Sequence, residues 1–65
     1  MITDFARVLR EKLRTDMNDI TDELARGNAA SFEEYKRLCG MVHGLALAER
    51  HLLDLQKTAT ENDDE

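Results

Sequence analysis

Proline and tryptophan are absent from this 65-residue chain, cysteine occurs once, glycine three times, and aromatic side chains make up 5% of it. Each scarcity removes a class of solution. The single thiol, Cys39, cannot close a disulfide within the chain. No glycine-rich run offers the backbone cradle that phosphates require. No apolar run approaches the length needed to cross a bilayer. A lone unpaired thiol and the lack of a signal-like N-terminal segment lead us to expect synthesis in a reducing cytoplasm.

What is present is alanine, leucine, glutamate and arginine in quantity, the inventory of a helical bundle. Sixty-five residues allow one domain, and one this small buries too little surface to stand easily without a disulfide, a metal or a partner chain. The net charge of -5 is misleading taken whole. Residues Glu61 to Glu65 carry four of the acids and no base, which leaves ten acids against nine Lys and Arg in the rest. The body is therefore nearly neutral, and bulk charge gives no argument for nucleic-acid binding.

The apolar pattern predicts an all-α fold, an antiparallel two-helix hairpin that assembles into a four-helix bundle or packs on a larger assembly. In helix one, expected over residues 3–26, Ile2, Ala6, Leu9, Leu13, Met17, Ile20 and Leu24 recur every three or four positions, one stripe along a helix. Thr3 is the expected N-cap, and Asp4 suits the positive end of the helix dipole. Gly27 supplies the left-handed residue that ends a helix, with Asn28 continuing the turn. Ser31-Phe32-Glu33-Glu34 reads as a capping box, the Ser31 hydroxyl accepting from the Glu34 amide and the Glu34 carboxylate accepting from the Ser31 amide.

Helix two is expected over residues 32–57, its stripe being Tyr35, Leu38, Val42, Leu45, Glu49, Leu52 and Gln56. Both helices come to roughly 35–40 Å at the α-helical rise. The short link at residues 27–31 makes them antiparallel neighbours. Residues 1–57 form the hairpin in this reading. Residues 58–65 form an acidic tail without periodicity, expected to fray unless a partner holds it.

Helix two carries more apolar surface than helix one can cover. Leu55, Ala48, Met41, Leu52, Leu45, Leu38, Val42, Leu53, Ala46 and Cys39 span about half the helix circumference or more. The surplus calls for a second partner, either another copy of the chain or a different protein. Met41, Gly44, Leu45, Ala48, Leu52 and Leu55 are the expected interface. Gly40, Gly44 and Ala48 form a small-residue line at four-residue spacing, which reads either as weak propensity on a solvated face or as close approach by another helix.

Four charged residues form the second candidate group. Glu49 interrupts the apolar stripe, so its carboxylate must be paired or reach water; Arg7, Arg10 and Arg14 are expected near its level, with Asp54 also in reach of them. Pairing there would fix register as a buried polar residue does in a coiled coil. The arginine flank also admits phosphate contacts, and the alternative function is a dimeric four-helix-bundle regulator binding RNA or DNA. Cys39 and His43 have the i, i+4 spacing of two metal ligands, but two ligands are not a site and His51 lies too far around the helix. Nucleophilic catalysis by that pair would need an orienting third group and an oxyanion donor. No enzyme activity, metal or cofactor is expected.

The run SFEEYKRLCGMVHGLALAERHLLDL, Ser31 to Leu55, resembles small helical proteins of tailed bacteriophages encoded among packaging and head-assembly genes. Phe32 to Arg37, Cys39-Gly40 and the G-L-x-x-A-E element at Gly44 to Glu49 carry the likeness. Helix one is similar only in being amphipathic and charged. The resemblance implies a structural or assembly protein, made in the host cytoplasm and located in the virion, whose partners are itself or a capsid, portal or connector protein. A host-protein-binding phage factor is the further alternative. No catalytic residue follows from the likeness.

Overall fold

The computed structural model describes the backbone of residues 2–63 and the side chains of residues 4–59. Two helices, α1 (Ile2–Ala25) and α2 (Phe32–Asp63), fold back on each other as an antiparallel hairpin. The molecule is a rod of 52 × 16 × 12 Å. No helix among the described residues is long and apolar enough to cross a membrane.

The link is built by backbone rules. Gly27 has φ +73°, a left-handed conformation that costs a side chain dearly. The Asn28 amide donates to the Glu23 carbonyl and the Gly27 amide to the Leu24 carbonyl, each at 3.1 Å. This pair of bonds is a Schellman motif, and it satisfies carbonyls that the helix end would otherwise leave open. At the start of α2 the Glu34 amide donates to the Ser31 hydroxyl at 3.1 Å, as an N-cap requires.

The capping box is only half made. The Glu34 carboxylate accepts from Arg37 through two guanidinium nitrogens rather than from the Ser31 amide. A charge-assisted fork one turn further on outcompetes a neutral amide. The Arg37 hydrogen bond, opposed by burial and aided by the Arg37 charge, holds the Glu34 carboxyl below its ordinary value.

Three expectations about the elements are corrected. Thr3 lies within α1, which already begins at Ile2; its side chain lies outside the described residues. The helices are unequal: α1 has 24 residues and α2 has 32, about 36 and 48 Å at the α-helical rise. The difference arises because α2 runs through the segment taken as tail and reaches Asp63. Nothing between Lys57 and Asp63 breaks a helix, and Ala59 and Glu61 favour one. Residues 64 and 65 lie outside the described structure.

The seam between the helices follows the three-four spacing. Ala6 and Met17 of α1 are buried, with Leu13, Ile20 and Leu24 half-buried around them. On α2 Leu38 and Glu49 are buried, and Val42, Leu45, Leu52 and Gln56 are half-buried. Tyr35, expected in this stripe, is exposed instead and stacks on Phe32, ring centroids 6.3 Å apart. It stands too near the turn for α1 to cover it. Leu9 is also left largely open. None of the described side chains is completely enclosed, so the seam is one layer deep.

Candidate interaction face

The two sides of the seam carry different groups. One holds an ion-pair cluster, with Tyr35 and Leu53 of α2 exposed on the same side. Glu49 sits within the seam and accepts from Arg14 Nε at 2.5 Å and from Arg10 Nε at 3.4 Å. The two arginines are one turn apart on α1 and clamp one carboxylate oxygen. Burial raises the Glu49 carboxyl, but the hydrogen bonds and charges of Arg14 and then Arg10 outweigh it, and the group ends below its ordinary value of 4.5. The expected partner set of three arginines narrows to two: Arg7 donates to Glu11 on its own helix at 3.1 Å. Asp54 makes no ion pair among the described residues.

The other side sets apolar groups beside acids. Asp16, Asp19 and Ile20 of α1 and Met41, Gly44 and Leu45 of α2 line an open groove of about 520 Å³. Met41, Ala48 and Leu55 are spaced by seven, two helical turns, so they continue one line along α2. Arg37 belongs to the same side, one turn before Met41, and its guanidinium reaches the Met41 Sδ at 3.4 Å. On α1 the matching line is Phe5, Leu9, Asp16 and Ile20, at spacings of one and two turns. Phe5 is 73% exposed, Leu55 68% and Met41 45%. A Cβ placed on Gly44 would meet nothing within 4 Å, so the hairpin itself makes no use of that glycine's smallness.

The expected interface residues therefore fall into two groups. Met41, Gly44, Ala48 and Leu55 are exposed on the groove side, whereas Leu45 and Leu52 are half-buried against α1 and serve the seam first. Sequence reasoning missed the α1 half of the face. Phe5, Leu9 and Ile20 carry the same spacing signal, but the whole α1 stripe was assigned to the seam, and Phe5 lay outside the stripe.

The remaining candidates are dispersed. Cys39 is half-buried and His43 exposed, and among the described residues no three His, Cys, Asp or Glu side chains gather as a metal site. Among the described residues every buried side-chain nitrogen and oxygen has a hydrogen-bond partner. Comparison with protein-family models, with curated proteins and with solved structures finds no match to this chain.

Proposed function

We propose that this chain is a non-enzymatic helix-packing protein of a tailed-phage particle or of its assembly line. It docks through the groove side of the hairpin, onto itself or onto a capsid, portal or connector component. The observation that carries the reading is the exposed line Met41, Ala48 and Leu55 along one side of α2, with Phe5 and Leu9 exposed on α1. Exposed phenylalanine, leucine and methionine on one side of the hairpin mark an association surface, because burying each square ångström of them is worth about 25 cal/mol.

The phage setting rests on the likeness of Ser31 to Leu55 to small helical phage proteins. The packing chemistry stands on the face alone. The arginine flank that would serve a nucleic acid has carboxylates of this chain as its nearest charges: Glu11 for Arg7 and Glu49 for Arg10 and Arg14. That engagement favours protein packing over phosphate contact.

The test is mass spectrometry of purified particles and of assembly intermediates of the encoding phage. The chain is expected in one or both, in fixed ratio to a structural component, and Met41→Glu together with Leu55→Glu removes it. Absence from both preparations overturns the proposal.

A further inference from the structure

Resting on the reading of the groove side as the docking side, we infer that the groove takes a helix of a different protein. That helix is amphipathic, its apolar stripe flanked by lysine or arginine. The first argument is shape. The groove is an open trough of about 520 Å³ between two antiparallel helices, with Ile20, Leu45 and Met41 as its apolar lining. An amphipathic helix laid in such a trough packs its stripe against both walls. Gly44 puts no side chain in the way, since even a Cβ there would meet nothing within 4 Å, and an incoming backbone can come close. Met41, 45% exposed, is the flexible side chain that adapts to an apolar partner.

The second argument is charge. Two of the six lining residues, Asp16 and Asp19, are acids and none is a base. Both are exposed and make no ion pair among the described residues. The neighbouring hollow, of Val8, Glu11, Lys12, Thr15 and Asp16, sets one base against two acids. Arg37, one turn before Met41, is held by Glu34. An acidic rim on an apolar floor repels nucleic-acid phosphates and anionic lipid headgroups and draws a basic partner. Asp16 and Asp19 stand about 4.5 Å apart along the α1 axis, so two bases one turn apart on the partner helix can meet both. Arg7, Arg10, Arg14 and Arg37 of this chain each hold a carboxylate of their own chain, which favours a different protein over a second copy.

Fluorescence anisotropy with labelled probes and the full chain tests this at physiological salt. The probes are an amphipathic leucine–lysine helix about five turns long, its leucine–glutamate counterpart, a shuffled leucine–lysine sequence without a stripe, and a DNA duplex. The leucine–lysine helix is expected to bind at least about tenfold more tightly than its glutamate counterpart, because like charges across an interface are strongly disfavoured. The shuffled peptide and the duplex are expected to bind no better than the glutamate helix. Gly44→Leu, which fills the groove, should abolish binding. Asp16→Asn with Asp19→Asn should weaken it about tenfold, the size expected of two surface ion pairs. Glu33→Gln with Asp54→Asn, which removes the same charge outside the groove, should leave it nearly unchanged. Circular dichroism checks that each variant keeps its helicity. Equal binding of the shuffled peptide or the duplex overturns the inference, as does a control pair that weakens binding as much as the groove pair. So does a Gly44→Leu chain that binds like wild type, or a self-paired chain, by sedimentation equilibrium, that excludes the peptide. A chain that fails to select the leucine–lysine helix yet enters particles through Met41 and Leu55 would sink this inference and leave the proposed function standing. Selective binding by a chain absent from particles and intermediates would do the reverse.

Discussion

Glu49 shows how one side chain can set a pairing without strengthening it much. Its carboxylate occupies a seam position that leucine would fill by the same spacing, and two arginines hold it ionised there. A buried ion pair replaced by a well-packed apolar side chain is often neutral or stabilising. Glu49→Leu is therefore expected to melt at or above the wild-type temperature, while losing the feature that favours one register over its neighbours. The acid response follows from the sign of the shift. A carboxyl lowered on folding contributes its stability above the ordinary value of 4.5 and loses it as pH falls through the lowered folded value. Melting temperature by circular dichroism should drop over that acid window in wild type and less in Glu49→Gln. Equal acid slopes in the two proteins would show that the pair does not govern the response. At Leu38, buried at the turn end of the seam, truncation to alanine is expected to cost about 2 kcal/mol, the low end for a leucine whose surroundings can partly close, measurable by urea titration.

At the scale of the elements, the turn is the most demanding part of the chain. Gly27→Ala forces a side chain into the left-handed region and is expected to cost about 1–2 kcal/mol, while Ser31→Ala removes the N-cap bond for about 1 kcal/mol. Both are read from the same urea midpoints, and a neutral Gly27→Ala would mean that the turn reforms without its positive φ. These signals were legible in the sequence because each is local. Glycine after a periodic run and serine before one need no tertiary knowledge. The three-four spacing likewise gave the seam, apart from Tyr35 and Leu9, whose coverage depends on how far the opposite helix extends.

The end of α2 was not legible. Acidic residues without periodicity look like tail, yet helix continues wherever nothing stops it. Deleting residues 60–65 should lower total helicity and leave the melting temperature nearly unchanged, since α2, with 32 residues against 24 in α1, has little of α1 to pack on at its far end. A large fall in melting temperature would show that it is held by contacts of its own.

For the whole molecule, the side on which the two helices share a groove could not be read from one helix at a time. It appears only when the register places Asp16 and Ile20 beside Met41 and Gly44. Half the candidate face was therefore found in the sequence, on α2, and the α1 half was missed. A helix that binds only the folded hairpin stabilises it by mass action. The leucine–lysine helix should raise the wild-type melting temperature as its concentration rises, and leave that of Gly44→Leu nearly unchanged.

The unequal helices give the rod a direction. One end is blunt and closed by the Schellman turn at Gly27. At the other, α2 continues past the start of α1 as far as Asp63. Such a rod cannot bind the same surface by either end, so whatever seats one end receives every copy in the same orientation.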